Sequence, residues 1–460
     1  MACLSRAAPH DSTVVRRSPI GPALMFALPF LYAHLVYSSV ERHIARFLSR
    51  FPSVKRAAKY TYQRLTRMWY GSADRVDSRF PIQRVFQGED GSATFFGYYD
   101  HCPLSQDGQY VLVHCFKGKT TCRPQRGDTV DVCVVDTETG ECVFRTLSRA
   151  FNLQQGTRLQ WMTNRSFIYN DVSDDGSHYV SRRVDLDINQ HLAYAEPVQD
   201  GWKDHYFISL NYRRLYTVRP DYGYVEFPKL NEDELRDRTS DGLTRVSYET
   251  GEAERIYSLN RICRTQSKPV FQDAIHYVNH VNIAPDGRKF VFLHRYVYKN
   301  IRYDRLFLGD PAGETLTLLA DHDMVSHYCW KNDHTVVGYM RGLDGKDAYL
   351  QIDVRDASIQ PFSHAMDRYG DGHPSIASGR FVTDTYPQRS GLQRLLMLNA
   401  NAPATEAPIR LGAFYHGLDY RGEARCDLHP RLTSNGDAVF FDSVFDGSRQ
   451  MYRMNLPAKI

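Results

Sequence analysis

Short apolar or alternating runs recur along most of this chain, each bounded by polar turn residues. They are Tyr110–Phe116 (YVLVHCF), Ser166–Asp171 (SFIYND), Lys289–Tyr296 (KFVFLHRY), Thr335–Arg341 (TVVGYMR), Arg380–Tyr386 (RFVTDTY) and Ala438–Val444 (AVFFDSV). Length, β-branching and aromatic content make them strands rather than helices. Several follow a tight turn: SQDG at Ser105–Gly108, APDG at Ala284–Gly287, SNGD at Ser434–Asp437. Asp-Gly and Asn-Gly suit such turns because they tolerate positive φ. A second strand usually comes next, as in DVCVVD, RLFLGD, AYLQIDV, RLLMLNA and QMYRMNL.

The units lead off near Tyr99, Gln160, Phe207, Asn279, Ser326, Gly372 and Asp427, about 46 to 72 residues apart. Repeated four-stranded units with no helical stretch between them predict an all-β, seven-bladed β-propeller, or six blades if one unit is misread. The longest gap holds an insertion at Asn211–Arg238. The propeller domain is expected over residues 83–460. Residues 1–70 are expected to form a basic, membrane-proximal or accessory segment with a short helix.

Charge sharpens that division. Residues 1–70 hold eleven Lys/Arg against two acids, so a net charge of +4 leaves the remainder at −5. The body therefore lacks the basic balance of a nucleic-acid binder. Ala23–Val36 (ALMFALPFLYAHLV) is apolar but shorter than a bilayer span. It reads as an export-signal core, and Met25 is a second candidate start. Ile44, Phe47, Leu48 and Phe51 fall at helical spacing among arginines and lysines. Residues 23–69 are thus expected to lie on an anionic membrane surface, or else to pack on the body. The expected location is cytoplasmic, peripheral on the inner membrane face, with export left open. Nine cysteines stand singly with no CxxC pair, which fits reduced thiols. No phosphate loop, dinucleotide fingerprint or G-x-S-x-G elbow occurs, so no nucleotide cofactor and no appended hydrolase are expected.

Five histidines occupy one place in the repeat: His101 (GYYDHCPLSQDG), His280 (YVNHVNIAPDG), His327 (MVSHYCW), His373 (GDGHPSIASG) and His429 (RCDLHPRLTSNG). In a propeller these side chains converge on one axial mouth, where imidazoles bind metal or move protons. Asp427 and His429 stand two apart on an expected strand and so face one side. With His373 they make a three-ligand set for a divalent metal.

The order of these elements resembles the oligogalacturonate lyases and, more loosely, the TolB-like propellers. The likeness covers most of residues 95–458 and is weak in identity. HVNIAPDG with FLHRY is similar to a His-led blade of the family. YDRLFLGD is similar to the strand carrying its catalytic arginine, which implies Arg305. MVSHYCW is similar to the strand carrying its base, which implies His327. DGHPS and RCDLHPRLTSNGDAVFFDSVFDGSRQMY are similar to its metal-holding strands, which implies a metal such as Mn²⁺ at His373, Asp427 and His429. Asp427 replaces one family histidine, and the family's glutamine ligand falls near Ala424. His280, His101 and Arg295 are expected to bind substrate. The implied activity is β-elimination on an acidic, uronate-containing oligo- or polysaccharide.

Other readings of the same residues stay open. Arg305 fits an ion pair with a neighbour such as Asp304. His327 fits a hydrogen bond to a neighbouring blade, and Asp427 and His429 a structural pair, while Tyr98–Tyr99 and NYRRLY (Asn211–Tyr216) fit either plain packing or stacking on sugar rings. A non-catalytic glycan-binding or assembly propeller in polysaccharide production competes with the lyase. A pure protein-interaction propeller ranks below both.

Overall fold

The computed structural model describes residues 52–70 and 74–458. Seven antiparallel sheets follow one another along the chain. Their innermost strands are Ala93–Phe95, Gln160–Trp161, Asp200–Trp202, Ile275–Ile283, Val325–Asn332, Ser375–Ala377 and Arg431–Leu432. This is the expected seven-bladed all-β propeller, and the six-bladed alternative falls away. Two expected strands, Tyr110–Phe116 and Thr335–Arg341, appear with the same ends. Wholly apolar strands bury both faces between adjacent blades. Val291, Leu293 and Leu306 of blade four pack with Tyr328, Val336 and Met340 of blade five.

The turns follow the Asp-Gly chemistry. Gly287 has φ +70°, and a Cβ there would lie 2.2 Å from the Trp202 ring. Only glycine serves both the turn and that close approach.

The ring closes by joining the chain's two ends. Blade seven takes three strands from the C-terminal region, and its outermost strand is Ile82–Arg84, paired antiparallel with Gln450–Asn455. Val76–Ser78 adds a fifth strand to blade six. The described propeller strands thus begin ahead of residue 83.

One expectation needs correction. The units are not free of helix: Tyr212–Val218 and Glu232–Arg236 lie in the insertion, and Leu259–Arg264 follows blade three. Side chains hold the insertion shut, since Asn211 and Asn231 cap its helices. Arg214 is buried and donates to the carbonyls of Glu234, Leu235, Asp237 and His276.

A helix spans Pro52–Tyr70, with Arg67 over the Tyr415 ring of blade six and Arg421 over the Tyr60 ring. Its Leu65, Met68 and Trp69 are exposed. Ile44, Phe47, Leu48, Phe51 and the apolar run 23–36 lie outside the described residues. Among the described residues no helix is long and apolar enough to cross a membrane.

Candidate functional site

Four of the five histidines meet at the inner strand ends of blades four to seven. Ring centroids step from His280 to His327 at 6.0 Å, to His373 at 4.2 Å and to His429 at 4.3 Å. Tyr98 and Tyr99, in the loop after the first inner strand, fill the centre. Tyr98 stacks on His280 at 5.1 Å, and Tyr99 contacts His327, His373 and His429. His280 and His429 both have positive φ, 53° and 45°. That conformation is uncommon for side-chain-bearing residues and persists where surroundings enforce it. His280 sits in a register shift between Asn279 and Asn282, which turns its ring out of the ladder.

His280 has both ring nitrogens within reach of the Tyr98 hydroxyl, at 2.8 and 3.1 Å, and the other three rings are each fixed through Nδ1. His373 Nδ1 lies 2.8 Å from Asp384 Oδ1, and a carboxylate only accepts, so Nδ1 carries hydrogen. Asp384 also accepts from the backbone N–H of His373 and of His429. His429 Nδ1 donates to the Gly97 carbonyl at 2.6 Å, which leaves Nε2 buried with a lone pair and no hydrogen-bond partner. His327 Nδ1 faces Asp371 Oδ1 at 3.3 Å, and Ser326 Oγ donates to the other oxygen of that carboxylate at 2.6 Å.

Gly97 makes this possible. Its φ is +111°, a Cβ would meet the Gln155 backbone at 2.6 Å, and its N–H donates to Asp442. The same carbonyl accepts from Arg431, itself ion-paired to Asp442. Blade one and blade seven therefore share the support of His429.

His373, Asp427 and His429 present ligand atoms within 4.8 Å of one another, all buried. The set fits a divalent metal on three counts. Two imidazoles and a carboxylate suit a borderline cation. The Nδ1 atoms donate to a carboxylate and a carbonyl, as metal-binding histidines usually do. The orphaned Nε2 of His429 lacks any other use. Asp427 is not a simple substitute for a histidine, because Arg425 grips both its oxygens at 2.6 and 2.7 Å.

Charges of both signs surround the rings and shift them differently. Asp371, Asp384 and Asp427 flank His373 and raise its pKa against the opposing effect of burial. Burial and the charges of Arg295, His327 and Arg219 hold His280 well below the ordinary histidine value. His327 lies between and is lowered, first by burial and then by His373. Tyr98 and Tyr386 are kept as neutral phenols by burial.

The remaining expected residues divide. Arg295 has its Nε 2.8 Å from Asp304, and its charge bears on His280 and His327. His101 has its Nε2 2.9 Å from Asp200, whose other oxygen accepts from Ile283 N–H, so it ties blade one to blades three and four. Arg305 does not reach the mouth. Cross-strand pairing puts it opposite His294, whereas Arg295 pairs with Asp304, so the two guanidiniums leave opposite faces of blade four. Arg305 donates to the carbonyls of Thr265 and Gln266, lies 3.3 Å from Asp321, and stacks on Phe271. It staples the loop between blades three and four. The pairing with Asp304 is also absent, since Asp304 binds Arg295 and Arg302.

Sequence reading missed the second ring of contacts: Asp371 and Asp384, the Gly97 carbonyl, and Arg219 and Tyr222 from the insertion. The Asp-Gly-His of DGHPS and the Asp of TDTY were visible signals. In the insertion the aromatic signal was read at NYRRLY, short of Arg219 and Tyr222.

Comparison with solved structures agrees on the fold. The chain superposes on an oligogalacturonate lyase in complex with manganese with a TM-score of 0.55 and 16% identity, covering 85% of this chain and 96% of that one. An oligogalacturonate lyase from Vibrio parahaemolyticus gives a TM-score of 0.48 at 16% identity, over 84% and 99%. The β-propeller domain of the trilobed protease from Pyrococcus furiosus gives 0.44 at 8% identity, over 78% and 96%. No protein-family model matches the chain, and no curated protein matches it. The expected resemblance to the oligogalacturonate lyases thus holds as a shared propeller fold.

Proposed function

We propose that the mouth is the active site of a lyase that cleaves uronate-containing glycan by β-elimination. The observation that carries this reading is the chain of four imidazoles at one mouth, with Asp371 behind His327 and the charge of Arg295 close to it. Neutral His327 takes the C5 proton at Nε2, since its Nδ1 is committed to Asp371. Arg295 faces the C6 carboxylate and offsets the charge that develops there, the part that the sequence reading gave to Arg305. The C5–H electrons form the C4–C5 double bond, the C4–O bond breaks, and the departing sugar oxygen takes a proton from solvent. Tyr98 and His280 line the sugar's path. His373, Asp427 and His429 would hold a divalent metal, which supplies Lewis-acid polarisation of substrate oxygens when bound.

The rings are almost wholly covered, so substrate enters past the more exposed rim of Arg219, Asp221, Asp371 and Arg425 (side chains 21, 25, 19 and 34% exposed). The open clefts of the outer surface, such as that lined by Asp77, Arg79 and Arg410, lie on blade edges instead.

The test is ultraviolet absorbance of the conjugated unsaturated uronate, after incubation with several uronic-acid oligosaccharides and Mn²⁺. Product that disappears in His327→Ala supports the reading. No product from any acidic glycan overturns it in favour of a glycan-binding propeller.

The chain's location belongs to the same reading. Leu65, Met68 and Trp69 are exposed on a helix whose Arg67 faces the propeller, and residues 1–70 carry +9. Together they suit an anionic membrane surface. Sedimentation with phosphatidylglycerol vesicles, lost in Leu65→Ser/Trp69→Ser, is the expected outcome. Equal sedimentation of that variant counts against it.

A further inference from the structure

The insertion between the second and third strands of blade three bends its middle back over the mouth. Its Tyr222 ring stands 5.0 Å from His280 and 6.0 Å from Tyr98. Arg219 lies over that ring at 4.7 Å and spends Nε and Nη2 on Asp221, at 3.0 and 2.8 Å. Its Nη1 is buried with no hydrogen-bond partner, and so is Nη1 of Arg295. Buried donors are ordinarily satisfied, so two such atoms at one mouth call for an acceptor. The local charge points the same way. Asp304 Oδ1 serves both Arg295 and Arg302, at 2.8 and 3.1 Å, so two guanidiniums share one carboxylate. Arg219 is near enough for its charge to oppose protonation of both.

We propose that Arg219 and Arg295 form a two-arginine clamp for a substrate carboxylate, and that Arg219, carried in by the insertion, sets the preference for free acid over ester. This rests on the uronate reading of the mouth and adds a specificity residue to it. A guanidinium edge matches a carboxylate, whereas a methyl ester carries no charge and one weaker acceptor. The anchored helices on either side hold Arg219 in place before ligand arrives.

The experiment is calorimetric titration of the full chain with trigalacturonate and with its methyl ester. Wild type should favour the acid by about tenfold or more, the size of one charge-assisted contact. Arg219→Gln should bring the acid most of the way down toward the ester's affinity, Arg295 keeping the remainder, and leave the ester unchanged, and Arg219→Lys should recover part of the preference. A wild-type-like preference in Arg219→Gln, or equal weakening of acid and ester, overturns the clamp. Arg219→Gln gives up contacts to Asp221 and Tyr222, so thermal melting of both variants is read alongside, and a single cooperative transition in each shows that they remain folded. Acid binding without turnover sinks elimination and leaves the clamp standing. Turnover with an unaltered preference in Arg219→Gln does the reverse.

Discussion

Among the described residues, two buried histidine clusters gather ligand atoms within 4.8 Å, and only one of them has the makings of a metal site. At the mouth, His373 and His429 have carboxylate or carbonyl acceptors behind them, Asp427 beside them, and one orphaned nitrogen. The other cluster joins Cys263, His276 and His294, whose ligand atoms also lie within 4.8 Å. There, His276 Nε2 donates to the Phe271 carbonyl at 2.8 Å, which leaves its Nδ1 to accept from His294 Nε2 at 3.0 Å. Arg305 Nη1 stands 3.4 Å from His294 Nδ1. Every ring nitrogen has a neutral or cationic hydrogen-bond partner, and the nearby charges are arginines. Both histidine pKa values fall, His276 to about 4. Convergence of ligand types is therefore insufficient. What separates a metal site from a packed staple is an unused lone pair and negative charge behind the rings.

The comparison can be broken most sharply through metal affinity. His429→Ala should weaken Mn²⁺ binding by about 100-fold, as a lost ligand costs at least as much as a lost supporting contact. Cys263→Ser should bind as wild type. Calorimetry and metal analysis read both, and metal lost with Cys263 would reverse the assignment. Next is stability: Arg305→Ala removes the donor to two carbonyls and to one oxygen of Asp321, whose other oxygen keeps Lys268 at 2.6 Å. It should cost about 2 kcal/mol in urea unfolding, while Mn²⁺ affinity holds. Lost turnover at unchanged stability would return Arg305 to the catalytic set. Gly97→Ala should cost about 1–3 kcal/mol, from strain at a position that needs φ +111°. It should also loosen Mn²⁺, since the carbonyl holding His429 must shift.

The most gradual effect is in pH. His276 and His114 have folded pKa values of about 4 and about 3, below the ordinary 6.5, both chiefly through burial. The unfolded chain binds their protons first as pH falls. Stability is thus full above about pH 6.5 and drops below it, by at most about 1.4 kcal/mol per pH unit for each group. Melting temperatures from pH 7.5 to 4.5 check this, and His276→Asn should flatten the slope.

Much of this was legible in the residues, for reasons that also mark the limits. Tyr110–Phe116 and Thr335–Arg341 declared their ends because apolar runs met turn residues. His280, His327, His373 and His429 declared a common mouth because they kept one place in the repeat. The choice between Arg295 and Arg305 was not legible. Side chains alternate along a strand, and which face of blade four looks into the mouth depends on packing against its neighbours. The outer strand Ile82–Arg84 gave no sign that it would pair with residues more than 350 positions later. Arg219 was hidden for a different reason, since an insertion has no repeat to compare it with.

On the proposed reading of the mouth as a metal site, the link from Gly97 to His429 makes metal binding a late event in synthesis. The carbonyl emerges from the ribosome early and its imidazole late, more than 300 residues apart. A nascent chain stopped before blade seven would hold most of its core yet lack the supported His429. Manganese retention would then report that the last blade has docked on the first, a readout of completed folding that stands or falls with that proposal.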